Sequence, residues 1–127
     1  MMNDYLNLFG RCLIALLFIG GAIQKFVDPA PVAQMIISVG LPEWLVTPVA
    51  IFDLVAGLSL IFGPGVAIWA AALAIYCMMT SWFHWQLRAD PWQVTIMVKN
   101  WSIAGGLLIL AAQGPGRFSV STIKHDV

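Results

Sequence analysis

The feature that most constrains this chain is a succession of four long apolar segments, at about residues 6–25, 44–62, 67–85 and 93–113. An α-helix rises about 1.5 Å per residue, so about 20 residues cross a hydrocarbon core of about 30 Å. In lipid, backbone N–H and C=O groups must be satisfied within the segment, which favours helices. The sequence therefore predicts an all-α protein, an integral membrane four-helix bundle that forms one transmembrane domain over residues 1–127.

Composition supports this class and excludes others. Of the 127 residues, 61% are hydrophobic and 9% are charged, whereas a soluble domain carries about 25% charged residues. The formal net charge is zero, so nothing attracts nucleic acid, which we exclude as a partner. Cys12 and Cys77 lie in apolar runs without metal-ligand spacing, and no metal site is predicted. A bis-histidine haem needs two histidines within the spans, and only His84 qualifies, because His125 lies in the tail.

The turns between the spans predict the topology. The "GPG" at residues 63–65 reads as a minimal hairpin, "RADPW" at 88–92 ends the third span and caps the fourth, and the first loop carries a short interfacial helix at about 32–39. An even number of spans places both termini and the GPG turn at one end of the bundle. Basic residues are balanced between the two ends, so the positive-inside rule decides little. We predict that the termini lie in the cytoplasm.

Five ionisable side chains fall within the spans, where each costs about 2.5 kcal/mol or more unless it is paired or reaches a headgroup. On the first helix Arg11 and Lys25 share one face with small and aromatic residues at helical spacing, and this face is predicted to look into the bundle. For either cation alone, extension of the side chain to the membrane surface is the simple alternative.

Asp53 lies about 14 Å deep and Lys99 about 10 Å deep from the same end of the bundle. Their similar depth predicts a buried Asp53–Lys99 ion pair, with His84 and Lys25 near the same end. Two interpretations stay open: a pair that only fixes helix register, or a pocket for a polar headgroup or a quinone-like ring. In the second, Lys99 and Asn100 donate hydrogen bonds and Asp53 or His84 handles the proton. The candidate ligand-binding residues are Lys99, Asn100, Asp53, His84 and Lys25.

Several motifs resemble the DoxX family of small four-helix membrane proteins. They are "GR", "LFIGGAIQKF" and "DP" around the first span, "GLP" in the loop, an acidic residue before "GLSLIFG", and "KNWSIAGGLLILAAQGPGRFSVS" at the last span. The resemblance covers nearly the whole chain. It implies structural roles for Arg11, Gly105, Gly106, Gly114 and Arg117. The two adjacent glycines in the last span also predict that a neighbouring helix comes close at Gly105 and Gly106. The chain departs from the family at Asp53, where a glutamate is common.

The resemblance also implies a function, because some members are described as subunits of a thiosulfate:quinone oxidoreductase or as membrane partners of sulfur- and superoxide-handling enzymes. We therefore predict a small subunit of a quinone-linked redox complex in a bacterial inner membrane. The chain itself is predicted to bind no cofactor, with quinone as the candidate ligand. The expected partners are membrane lipids and other membrane subunits or further copies of the chain. The alternatives are a non-catalytic structural subunit and, more remotely, a small-solute transporter; whether the chain is an enzyme stays open.

Overall fold

The structure is a computed structural model that describes residues 1–119; Lys124 and His125 lie outside this part. It contains the helices α1 (Met2–Val27), α2 (Ala30–Ser38), α3 (Val46–Phe62), α4 (Val66–Gln86) and α5 (Pro91–Gln113). A short 3₁₀ turn, Glu43–Leu45, leads into α3. Within the described residues four helices are long and apolar enough to cross a membrane: α1, α3 with its preceding turn, α4 and α5. The predicted all-α, four-span architecture is confirmed, and α2 occupies the loop where a short helix is predicted.

Two tight turns follow from their sequences. Gly63 and Gly65 adopt positive φ angles of 95° and 66° on either side of Pro64, a conformation that side chains with a Cβ rarely adopt. These two glycines let the chain reverse direction within the three residues between α3 and α4. At the start of α5 the carboxylate of Asp90 accepts a hydrogen bond from the backbone N–H of Trp92 at 3.0 Å. This is the N-cap that "RADPW" predicts, with proline at the first helical position.

The helices pack as two pairs. In one pair α1 lies against α3, in the other α4 lies against α5, and α3 and α4 join the pairs. Small residues dominate the contact surfaces, which lets helices approach closely in a membrane. The small or apolar residues at the centre of the core include Ala15, Phe18, Ala56, Leu60, Ala70, Leu73, Ala74, Ala104 and Leu107.

Among the described glycines, Gly57 of α3 leaves the least room for a side chain. A Cβ added there would lie 2.7 Å from Cγ1 of Ile19 and 3.3 Å from the carbonyl oxygen of Ala15. A close approach is instead predicted at Gly105 and Gly106, and for Gly105 this prediction is wrong. Gly105 lies on the exposed face of α5, and an added Cβ there would meet nothing within 4 Å. At Gly106 an added Cβ would be in ordinary contact, 3.9 Å from Cδ1 of Ile14.

Arg11 joins three parts of the chain at the terminal end of the bundle. Its side chain is 1% exposed, so it is buried and does not extend to the membrane surface. Its Nη1 donates hydrogen bonds to the carbonyl oxygens of Leu60 at 2.8 Å and Ile61 at 3.0 Å. These carbonyls belong to the last turn of α3, which leaves its acceptors without partners inside the helix. The Nη2 of Arg11 donates to the carbonyl oxygen of Phe118.

The segment after α5 is fastened to α1 by two further contacts. The side-chain amide of Asn7 donates to the carbonyl oxygen of Gly114 at 3.1 Å. The carboxylate of Asp4 accepts from the backbone N–H of Arg117 at 3.0 Å. The structural role predicted for Arg117 therefore lies in its backbone, because its side chain is exposed.

We predict that Gly57→Ala lowers the free energy of unfolding by about 1–3 kcal/mol, because the methyl group forces α1 and α3 apart. Thermal unfolding of the purified protein in detergent measures this. The matched control is Gly105→Ala, which meets nothing and gains up to about 1 kcal/mol from helix propensity. Equal effects of the two substitutions would contradict the close approach at Gly57.

We predict that Arg11→Met lowers the free energy of unfolding by at least about 3 kcal/mol. The substitution removes the donor from three carbonyl groups, and a buried acceptor without a partner costs about 1–3 kcal/mol. The control is Arg117→Met, which keeps the backbone contact to Asp4 and should change the free energy by less than about 0.5 kcal/mol. If Arg11→Met unfolds at the wild-type temperature, its contacts do not stabilise the bundle.

Candidate functional site

The centre of the candidate site is an ion pair between α1 and α3. The ammonium Nζ of Lys25, in the last turn of α1, lies 2.8 Å from the carboxylate Oδ2 of Asp53. The Asp53 side chain is 2% exposed and that of Lys25 is 14% exposed. The packing of α1 on α3 produces this pair, because both side chains lie on the faces that the two helices turn toward each other. The inward face predicted for the first helix is confirmed.

The predicted pairing of Asp53 with Lys99 is wrong. Lys99 is exposed on the outer face of α5, and α5 packs against α4. Both lysines are predicted near the same end of the bundle, but only α1 places its lysine beside α3. Lys99 is therefore not part of the polar cluster around Asp53.

Tyr76 of α4 completes this cluster. Its hydroxyl lies 3.4 Å from Oδ2 of Asp53, to which it donates. The phenol ring packs against Phe18 and Phe52, with ring centroids 6.3 Å and 5.3 Å away. The second carboxylate oxygen of Asp53, Oδ1, is buried and has no hydrogen-bond partner among the described residues. Asp53 thus lies between a cation and a phenol and keeps one acceptor atom unused.

A cavity of about 360 Å³ adjoins this cluster at the end of the bundle away from the termini. This volume is near the lower limit for small-molecule sites, about 300 Å³. The cavity lies between the end of α1, α2, the start of α3 and the last turns of α4. Its lining residues are Lys25, Val32, Met35, Ile36, Leu45, Val49, Tyr76, Met79, Thr80, Phe83 and His84. The walls are therefore apolar, with four side chains that can form hydrogen bonds.

His84 and Asn100 are held beside this cavity by neighbouring side chains. Nδ1 of His84 lies 2.7 Å from the amide oxygen of Gln93 on α5, and because an amide oxygen only accepts, Nδ1 carries the hydrogen. The other ring nitrogen, Nε2, is then an acceptor in the neutral ring and a donor only when the imidazole is protonated. The Asn100 amide donates to the Thr80 hydroxyl at 3.3 Å. Asn100 therefore contacts a residue of the cavity wall and does not itself line the cavity.

The predicted site residues thus separate into four groups. Asp53 and Lys25 form the pair, His84 lines the same cavity as Lys25, and Asn100 lies behind the wall. Lys99 lies outside. Within residues 1–119 no group of three or more His, Cys, Asp or Glu side chains could hold a metal ion. The arrangement suits a ligand with an apolar body and hydrogen-bond acceptors.

The set of predicted residues omits Tyr76 and Thr80, although the sequence contains a signal for both. Tyr76, Thr80 and His84 follow one another at intervals of four residues, which places them on one face of α4. A stripe of three polar side chains in a span is unusual, because such groups are costly in lipid. The stripe therefore indicates a face turned toward the protein interior.

We predict that Lys25→Met lowers the free energy of unfolding by about 3–5 kcal/mol, because it leaves a buried carboxylate without its cation. Asp53→Leu should cost less, since Lys25 lies in the last turn of α1 and its chain can extend to the headgroups. The double variant Lys25→Met/Asp53→Leu should regain much of the loss. Thermal unfolding in detergent measures all three, with Lys99→Met as a control that stays within about 0.5 kcal/mol of wild type.

The double variant also provides the result that would contradict the ion pair. If the two single losses simply add in the double variant, Lys25 and Asp53 do not interact energetically.

Comparison with known proteins identifies the family. The DoxX family model matches residues 6–86, which span most of α1 through α4. The inner membrane protein YqjF of Escherichia coli (strain K12) is 28% identical over 124 residues, which cover 98% of this chain and 95% of that protein. No solved structure matches the chain. The motifs of α5 lie outside the part that the family model matches. Because that part is more than half of the chain, the protein belongs to the DoxX family.

Proposed function

We propose that this protein is a quinone-binding membrane subunit of a redox assembly in a bacterial inner membrane. The observation that carries the proposal is the cavity of about 360 Å³, whose apolar walls surround the Lys25 ammonium of α1 and polar side chains of α4. The membrane assignment rests on the similarity to YqjF, which is described as an inner membrane protein. Termini in the cytoplasm remain a prediction of the sequence.

The chemistry of a quinone fits the lining of the cavity. A quinone has a flat ring with two carbonyl oxygens that accept hydrogen bonds, and when bound it supplies the reversible uptake of electrons and protons. The Lys25 ammonium has three N–H donors, of which one goes to Asp53 and one approaches the Gly21 carbonyl oxygen at 3.4 Å. The third is available to a carbonyl group. Val49 and Phe83 provide apolar wall against which a ring can pack.

The proton that accompanies an electron has two candidate sources in this chain. One is His84, whose ring Gln93 orients through Nδ1; in the protonated ring Nε2 also carries a hydrogen, which it can transfer to the ligand. The other is Lys25, whose ammonium rests on the carboxylate of Asp53. Tyr76 links the cavity to the same carboxylate. In this proposal Asp53 is a positioning residue, because it acts through Lys25 and Tyr76.

The electron donor in this proposal is a partner subunit that carries its own redox group. The alternative is a non-catalytic structural subunit, which braces a larger complex and uses the Lys25–Asp53 pair only to fix helix register. These two functions differ in one respect that can be measured: only the first requires a ligand in the cavity.

We predict that a photoreactive short-chain quinone labels the purified full-length protein on α4, between Tyr76 and His84, and that unlabelled quinone competes. Loss of one hydrogen bond to the ligand costs about 1–1.5 kcal/mol, so His84→Asn, which removes the Nε2–H donor of the protonated ring, should weaken binding about tenfold. Tyr76→Phe should weaken it less, because the Tyr76 hydroxyl donates to Asp53 and not to the ligand. Mass spectrometry of labelled peptides and competition curves provide the readout. The control is Lys99→Met, which lies outside the cavity and should bind as wild type does.

If unlabelled quinone does not reduce the labelling, or if all variants are labelled equally, the cavity does not bind quinone. Copurification then tests the structural alternative. A stoichiometric partner whose own activity survives Tyr76→Phe and His84→Asn would establish the protein as a brace, and flux into proteoliposomes would instead indicate a transporter.

A further inference from the structure

We propose that the outer face of α5 binds an anionic phospholipid, with its phosphate between Arg88 and Lys99. Both side chains line one groove of about 610 Å³, whose remaining lining residues are Pro91, Val94, Thr95 and Val98. The groove lies on the side of α5 that faces away from the bundle. It shares no lining residue with the cavity around Lys25, and the inference does not rest on the proposed function.

The position of Lys99 is what requires a partner. Lys99 lies eight residues past Pro91, which is about 12 Å along the helix axis. Its side chain is exposed, and it forms no ion pair or hydrogen bond within the described part of the chain. Side chains on a helix point back toward its N-terminus, so the ammonium group is directed toward the membrane surface, where lipid phosphates lie.

Arg88 supplies the second cation at the same end of the groove. Its Nη1 donates to the carbonyl oxygen of Trp85 at 3.0 Å, and its guanidinium lies 4.5 Å from the centre of the Trp85 ring. These contacts hold the side chain in place and leave other N–H donors of its five for a ligand. The nearby carboxylate of Asp90 is used at the helix N-cap, where it accepts from Trp92. The groove thus presents two cations without a bound carboxylate.

The apolar part of the groove is the reason for proposing a lipid as its occupant. Val94 and Val98 lie along α5 between the positions of Arg88 and Lys99 and form the apolar part of the groove. A phospholipid with net negative charge matches both parts, because its phosphate meets Arg88 and Lys99 while an acyl chain lies along the valines. Each basic residue near an anionic membrane surface strengthens binding severalfold. A soluble phosphate would use only the charged part.

The test is native mass spectrometry of the full-length protein in detergent, titrated with phosphatidylglycerol and phosphatidylethanolamine of the same acyl chains. We expect the wild-type protein to bind the anionic lipid about tenfold more tightly. Lys99→Gln and Arg88→Gln should each reduce this preference severalfold, and the double variant should abolish it. The control is Arg117→Gln, an exposed cation at the opposite end of the bundle, which should keep the preference.

Equal binding of the two lipids by the wild-type protein would overturn the proposal without any variant. Loss of the preference in Arg117→Gln as well would assign it to net charge and not to the groove. Glycerol phosphate is added as a competitor; displacement of the lipid at matched concentration would mean that a soluble phosphate is the ligand. Quinone labelling of Lys99→Gln should stay at the wild-type level, so failure of this inference and of the proposed function are distinguishable.

Discussion

The bundle depends on the requirement that a charge or a free backbone carbonyl buried inside it at membrane depth finds a partner within the protein. Helix α1 meets this requirement at both of its ends. Near its beginning Arg11 satisfies carbonyl groups in the last turn of α3, and near its end Lys25 satisfies Asp53. Between them Gly57 lets the two helices touch. Two polar anchors with a close contact between them fix α1 on α3 in depth and in rotation.

Much of this fold could be predicted from the sequence because the relevant signals are local. Apolar length determines the spans, Gly63 and Gly65 determine the hairpin, and Asp90 determines where α5 starts. Which helices lie side by side could not be predicted, because hydropathy gives depth but no direction around the helix axis. For α1 the alternation of polar and small residues marked the inward face. In α5 apolar residues occur on every side, so nothing in the sequence showed that Lys99 points outward.

The same limit explains what could be predicted of the candidate site. The carboxylate at position 53 and the lysine at position 25 are conspicuous in apolar surroundings, and both belong to the cluster. The assignment of the cation to Lys99 failed because two lysines lie at similar depth and only three-dimensional packing distinguishes them. Tyr76 is less conspicuous, since a phenol is tolerated in an apolar span. The two lysines end up in different environments, one inside the bundle beside a carboxylate and one on its outer surface.

The contacts of Arg11 also have a consequence for how the protein is made. Its carbonyl partners on α3 lie 49 and 50 residues further along the chain, and its partner Phe118 lies 107 residues further. During synthesis from the N-terminus, α1 is therefore made before the carbonyl groups that accept from its guanidinium exist. Until α3 and the segment after α5 have been made, the partner available to the Arg11 guanidinium is Asn7 of the same helix. The contacts that hold Arg11 in the bundle are thus completed only when Phe118, near the end of the described residues, has been added.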